Sequence, residues 1–317
     1  MSGHDHSGGE HAGHTHGVSA SSDVRWLVVA LLINVAFMLV EVAVGIIADS
    51  LALLSDAAHM LTDAGAIALA IAALRLAQRP PSGAFTFGLK RSEILSAQVN
   101  GVLLFVLAGV IGIESVSRIL DPPAVDGTLV LWTGVLGAAV NGAAAWALGR
   151  ANRASLNIRG AFLHNLFDML ASVAAALAGL VIVLTGWGQA DGIAALAVAL
   201  LMLYGGWGLV RDSGRVLLEG APKGLDPQAI GRAMAASPGI VEVHDLHVWE
   251  VTSGFPALAA HVRVAPGDDC HARRRELQAL LRERFAITHT TLQVDHELRF
   301  SDDLLEIEGT VSRGPQL

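Results

Sequence analysis

Six stretches of the chain run for roughly 20 residues or more with few charges, at 26–48, 51–77, 94–117, 128–148, 158–184 and 190–210. A helix rises about 1.5 Å per residue, so about 20 apolar residues cross a hydrocarbon core ~30 Å thick. The pattern therefore predicts six transmembrane helices. Trp26, Trp132, Trp146, Trp187 and Trp207 fall near the ends of these runs, where an indole sits best at the boundary of lipid and water. Beyond Arg211 the pattern changes. Asp226 and Pro227 have the character of an N-cap and first helical position for a helix at 227–236. "IVEVHDLHVWEV" and "ALAAHVRV" read as strands, "DDCHARRRELQALLRERF" as an amphipathic helix and "TTLQVDHELRF" as a third strand. The order α-β-β-α-β predicts helices packed on one face of a small sheet. The expected architecture is an α-helical membrane domain at 24–212 followed by an α+β, ferredoxin-like domain at 213–300. A His-rich flexible segment, 1–23, precedes them and a mobile tail, 301–317, follows.

Composition agrees with a membrane protein. Hydrophobic residues are 53% of the 317 positions and charged residues 16%, too apolar for a soluble enzyme of this length. A formal net charge of −8 argues against a nucleic-acid partner. The single cysteine, Cys270, excludes an internal disulfide, and beside His271 it reads as a residue that merely starts a helix. Arg75, Arg79, Lys90 and Arg91 flank the second connection and Arg150, Arg153 and Arg159 the fourth. The first and fifth have no Lys or Arg and the third only Arg118. Positive charge collects on the cytoplasmic side, so both termini are expected there. The run from 26 has no cleavage pattern of small residues and is not read as a signal peptide.

Ionisable residues inside these apolar runs demand a reason. His59 and Asp63 are separated by four residues and share one helix face; His164 and Asp168 in the fifth run repeat the spacing. Counting depth from the run boundaries puts all four in the middle third of the slab. Two imidazoles and two carboxylates make a closed tetrahedral set for Zn²⁺; soft ligands for Cu(I) and an all-oxygen set for Mg²⁺ or Ca²⁺ are both missing. The competing reading is of interhelical hydrogen-bonding residues. Two matching pairs favour the metal site. Asn34, Glu41 and Asn100 are read as interhelical hydrogen-bonding or cavity-lining residues, Glu41 also as a candidate proton relay. Asp56 is placed near the outer mouth.

Two further groups of histidines stand outside the membrane runs. His244 and His247 lie in the first strand, His261 in the second, Asp295 and His296 in the third, close enough in order to converge. Period-2 alternation sends His244 and His247 to opposite faces unless the strand bends. Five histidines, His4, His6, His11, His14 and His16, crowd the Gly/Ser-rich N-terminus, where a tether would hold Zn²⁺ weakly.

The paired His-x-x-x-Asp motifs, "FTFGLKRSEIL", "DGIAALAVALLMLYGGWGLVRDSGRVLLEGAP" and "VHDLHVWEVTSG" together resemble the cation diffusion facilitator family, over about residues 24 to 300. The resemblance implies a homodimer in a bacterial inner membrane that exports Zn²⁺ and related divalent ions from the cytoplasm in exchange for protons. It implies a transport site of His59, Asp63, His164 and Asp168, with His59 going with preference for zinc over cadmium. It also implies a cytoplasmic regulatory metal site of His244, His261 and Asp295; His247, His289 and His296 are further candidates. Some members hold a metal in the loop between the second and third spans. Here "RLAQRPPSGAFTFGLKR" has no His or Asp, so none is expected there. The resemblance suggests that Arg91 and Asp212 help to hold the dimer, against a reading as solvated surface charges.

Three classes compete. An intramembrane zinc hydrolase needs an open coordination position, and no His-Glu-x-x-His is present. A membrane metal sensor would not need the deep pairs. An exporter uses both sets, with Co²⁺, Ni²⁺, Cd²⁺, Mn²⁺ or Fe²⁺ as alternative cargo. No enzyme activity and no cofactor are expected beyond Zn²⁺ as transported and regulatory ion. The expected partners are divalent ions, protons, lipid and a second copy of the chain.

Overall fold

A computed structural model describes residues 20–47, 51–122 and 126–296. The N-terminal histidines, the tail at 301–317 and the side chains at Glu41, Asp56 and His59 lie outside the described residues. The chain divides into two compact units. One comprises residues up to Leu218 together with Val251–Gly254, and the other the remainder. Each is described by itself.

The first unit consists of α1 (Ala20–Ile47), α2 (Leu51–Ala77), α3 (Ser92–Leu120), α4 (Gly127–Gly149), α5 (Leu156–Thr185) and α6 (Gln189–Leu217). Among the described residues, α1, α3, α4, α5 and α6 are long and apolar enough to cross a membrane. α2 has 27 residues, about 40 Å of helix at ~1.5 Å per residue. It carries Asp56, His59 and Asp63 in a largely apolar sequence. Large apolar side chains such as Leu32, Val106, Ile113, Leu129 and Leu200 are exposed on the outside of the bundle, as lipid-facing positions require. Trp26 and Trp146 pack edge to face, with the Arg150 guanidinium 4.8 Å from the Trp146 ring. This joins one end of α1 to one end of α4.

Helices in lipid gain nothing from hiding apolar surface from one another, so close approach through small residues has to supply the contact. The principal pairings are α4 with α5 and α3 with α6. A Cβ at Gly179 of α5 would stand 2.5 Å from the Leu131 nitrogen of α4, and one at Gly134 of α4 2.6 Å from the Ala176 nitrogen of α5. Gly101 and Gly206 do the same for α3 and α6. α2 packs against α1, α3 and α5. At one end Leu27, Ala30, Ile67, Ala70, Ile71, Leu74, Ala147 and Ile158 form a buried apolar cluster.

The helices overrun the apolar runs that predict them. α6 continues through Arg211, Asp212, Ser213 and Arg215 to Leu217, so the change of unit falls after residue 218, not after 212. The polar stretch stays helical because its groups find partners. Asp212 is buried and ion-paired with Arg159 of α5 at 2.9 Å, and the Ser213 hydroxyl donates to the Leu209 carbonyl oxygen. Arg159, and not only the Arg91 expected from sequence, therefore bears on the role of Asp212.

The second unit holds α7 (Pro227–Ala235), β1 (Ile240–Glu250), β2 (Pro256–Val264), α8 (Cys270–Phe285) and β3 (His289–His296), the predicted order. Asp226 caps α7, accepting from the Gln228 N–H, and Pro227 occupies the first turn. The sheet order is β1-β2-β3, with β1 antiparallel to β2 and β2 parallel to β3 across α8. Ile230 and Met234 of α7, Leu277 and Leu281 of α8, Leu258, Ala260 and Val262 of β2 and Leu292 of β3 share one core. The alternate residues of β2, Ala259, His261 and Arg263, occupy the other face.

Gly179→Val is expected to destabilise the detergent-solubilised protein by about 1–3 kcal/mol through forced separation of α4 and α5. Gly109→Val, where a Cβ meets nothing within 4 Å, is expected to leave the thermal unfolding midpoint close to wild type. Thermal unfolding in detergent measures both.

Candidate metal site

α5 presents Asn157 and, seven and eleven residues further on, His164 and Asp168, which at 3.6 residues per turn keeps them on one stripe within about 40° of each other. That stripe faces α2. His164 Nε2 lies 2.8 Å from Asp63 Oδ1 of α2 and 3.7 Å from Asp168 Oδ2. His164 is 1% exposed, Asp63 2% and Asp168 9%. One ligand atom from each comes within 4.8 Å of the others, and no other group of three metal-ligating side chains does so among the described residues. Ligand atoms held ~2 Å from a tetrahedral Zn²⁺ stand about 3.3 Å apart. The observed 2.8 and 3.7 Å bracket that spacing, so an ion enters by small adjustments.

The structure thus brings together three of the four predicted ligands. His59 belongs to α2, one turn before Asp63, but its side chain lies outside the described residues. Around the group, the Asn165 amide donates to the Ala161 carbonyl oxygen and accepts from Asn34 of α1 at 3.2 Å, a buried bond. Asn34 is therefore the interhelical hydrogen-bonding residue expected of it. The sequence pattern does not single out Asn165, although it adjoins His164.

The second candidate cluster is arranged differently from expectation. Register shifts by one residue between His244 and His247: His244 pairs with His261, and His247 with Ala259. Three steps on β1 answer two on β2, which is a β-bulge. Asp245 adopts φ +51° within it. The bulge turns His247 onto the face that bears His244 and His261, so the strand does bend as the pairing required. The His244 and His261 rings lie 5.5 Å apart between centroids. Asp245 reaches His247 Nε2 at 2.9 Å and His261 Nε2 at 3.7 Å. These side chains are 44 to 66% exposed.

Asp295, expected beside His244 and His261, stands opposite Arg263 in the β2–β3 register and accepts from the Gln293 amide at 2.9 Å. It is displaced along the strand, because parallel pairing sets Gln293 and not Asp295 against His261. The two further candidates on β3 occupy its opposite ends. His289 pairs with Ala257 and contacts the Phe255 ring. His296 lies 3.5 Å from the Cys270 sulfur and 2.9 Å from the Asp268 carbonyl oxygen, at the start of α8. Cys270 is thus a neighbour of a strand histidine and not merely the residue that opens a helix. Sequence reasoning misses Asp245; its position between His244 and His247 is the available signal.

At the start of α8, Asp269 accepts from the His271 and Ala272 amides at 2.9 and 3.0 Å. The Ala272 N–H chiefly holds its carboxyl below the usual carboxylate range. The Arg273 guanidinium at 3.0 Å does the same for Asp268.

Two buried carboxylates and an imidazole gather between α2 and α5 with the chemistry of a metal site, in a bundle whose five helices other than α2 are long and apolar enough to cross a membrane. Residues 27–218 match the family profile described as the cation efflux transmembrane domain, and residues 222–297 that of the cation efflux protein cytoplasmic domain. The chain belongs to the cation efflux family, the cation diffusion facilitators. It is 38% identical over 301 residues to the cadmium, cobalt and zinc/H(+)-K(+) antiporter of Bacillus subtilis, covering 92% of this chain and 95% of that one. It is 38% identical over 234 residues to the zinc transporter ZitB of Escherichia coli, covering 73% and 74%. A solved structure of the metal-bound C-terminal domain of the CzcD transporter from Cupriavidus metallidurans aligns at 33% identity over 22% of this chain and 99% of that one, with a TM-score of 0.22.

Because the folded-state pKa of Asp269 is depressed, its stabilising contribution is present above the unfolded value of about 3.9 and is lost as pH falls through the lower folded value. Hydrogen exchange at the His271 and Ala272 amides, corrected for its intrinsic pH dependence, is expected to lose protection below about pH 4. Asp269→Ala is expected to show weak protection already at neutral pH.

Proposed function

We propose that the protein exports Zn²⁺ from the cytoplasm in exchange for protons, by alternating access around a site of His59, Asp63, His164 and Asp168 between α2 and α5. The observation that carries this reading is the buried contact of His164 with Asp63 and Asp168. Family membership favours transport over a sensor that moves no ions, and the names of relatives include zinc, cadmium and cobalt carriers. A buried acid–imidazole group in apolar helices is costly unless an ion or proton offsets the desolvation.

The coupling follows from which atoms touch. His164 Nε2 and Asp63 Oδ1 share a hydrogen at 2.8 Å. The same two atoms are the ligands a metal would use, and metal binds only the deprotonated forms. In the state where an imidazolium donates to the carboxylate, loading the ion expels one proton, and return of a proton from the other side restores the hydrogen bond and releases the ion. Rocking of the helices between the two openings makes the exchange vectorial. In this reading α2 is the sixth span, both termini are cytoplasmic, and the protein works as a homodimer in the inner membrane. Exposed His244, Asp245, His247 and His261 offer a regulatory site on the open face of the sheet, with Asp295 too far along β3 to be its first choice. The reaction involves no covalent catalysis and no resident cofactor.

Asp63→Ala and Asp168→Ala are each expected to reduce zinc uptake into inverted vesicles at least 100-fold while insertion and dimerisation persist. Wild-type rates in both variants would end the proposal. In wild-type vesicles an imposed gradient, acid inside, is expected to accelerate zinc uptake several-fold, and collapsing it with a protonophore to abolish the gain. Flux indifferent to the gradient would identify a uniporter.

A further inference from the structure

A second set of polar side chains lies inside the same bundle, and the metal group does not account for it. Ser96 and Asn100 stand one turn apart on α3, and Asn157 two turns before His164 on α5. They are 3%, 0% and 0% exposed. Ser96 Oγ, both Nδ2 and Oδ1 of Asn100, and Oδ1 of Asn157 have no hydrogen-bond partner among the described residues. Four orphaned polar atoms in a lipid-embedded bundle are unfavourable, and such groups normally mark water or a ligand that completes them.

Their placement gives them a common address. The Asn157 amide donates to the Ala70 carbonyl oxygen of α2 at 2.8 Å, seven residues from Asp63. The Ser92 hydroxyl donates to the Ala73 carbonyl oxygen at 2.7 Å, tying the start of α3 to the same end of α2. Gly160, one turn before His164, has no side chain, and a Cβ there would meet Leu209 Cδ2 at 3.1 Å and Asn100 Cβ and Nδ2 at 3.4 Å. Asn100 and Leu209 thus share the room that Gly160 leaves, one turn before the metal group. α2, α3 and α5 pack pairwise here.

We propose that Ser96, Asn100 and Asn157 line a hydrated passage that conducts a divalent cation, still carrying part of its water shell, to Asp63, His164 and Asp168 from the end of the bundle where α3 and α5 begin. This rests on the transport reading of the metal group. Amide and hydroxyl oxygens suit the task because they are neutral: they replace some hydration waters but hold the ion far less tightly than carboxylates and imidazole. Passage requires binding strong enough to admit the ion and weak enough to hand it on. Selectivity then stays with the charged group, and rate with the neutral one.

The full chain allows a direct test, since Cys270 is its sole cysteine. On a Cys270→Ser background, Ser96→Cys and Asn100→Cys in inverted vesicles are expected to react with the charged reagent 2-(trimethylammonium)ethyl methanethiosulfonate, at least tenfold faster than Val106→Cys on the exposed outer face of α3. Saturating Zn²⁺ is expected to slow both. In the otherwise native chain, Asn100→Leu is expected to lower the rate of zinc uptake at least tenfold with less than a twofold change in equilibrium zinc affinity, and Asn100→Ser to restore most of the rate. Reaction at both cysteines no faster than at Val106→Cys, or full uptake by Asn100→Leu, would overturn the passage. If wild-type vesicles carried no zinc at all, the transport reading would fall and the passage with it; unreactive cysteines beside active wild-type transport would remove the passage alone.

Discussion

The bond between His164 and Asp63 is the constraint around which the membrane unit is arranged. An imidazole and a carboxylate removed from water must each be compensated, and here they compensate one another through the atoms a cation would need. In the proposed exchange the pair is satisfied by hydrogen or by metal, and not by both at once. That exclusivity needs no moving part. It needs only that α2 and α5 hold the two side chains against each other, with Asp168 beside them.

Holding them is the work of the rest of the bundle. Two glycine-mediated seams, α4 on α5 and α3 on α6, bring backbones together where lipid would otherwise compete equally for the same surface. α5 takes part in the first seam through Gly179 and leaves its other side, with Asn157, Gly160 and His164, for α2 and α3. One helix therefore serves both as structural staple and as bearer of the ion group. Asp212 with Arg159 and Asn165 with Asn34 are further polar contacts that tie α5 to α6 and to α1. They are spaced along its length, so the helix is fixed at several depths.

Much of this is legible in the residue order, for an identifiable reason. A four-residue spacing within an apolar run has one geometric meaning, so the order of residues alone assigns His164 and Asp168 to one face. For Asp63 and His164 depth shows only that they are at compatible levels; their contact depends on how α2 and α5 pack. The Arg159–Asp212 pair has no such aid. Fifty-three positions separate the partners, and many cations lie within reach of the same helix end. Ser96 and Asn157 escape notice in the sequence because mild polarity in an apolar helix is common; only Ser96 Oγ and Asn157 Oδ1, unpartnered among the described residues, distinguish them. In the sheet, alternation misplaces His247 since it assumes an unbroken ladder. The β2–β3 register, which decides the neighbours of Asp295, depends on how α8 returns the chain.

The bulge at Asp245 makes the composition of the sheet face depend on backbone pairing and not only on residue order. With one extra residue on β1, an odd interval acts as an even one, and two histidines three apart share a side. A regular ladder through the same residues would instead rotate one imidazole toward the apolar core. The local backbone pairing, and not the residue types alone, therefore decides whether His244 and His247 stand side by side.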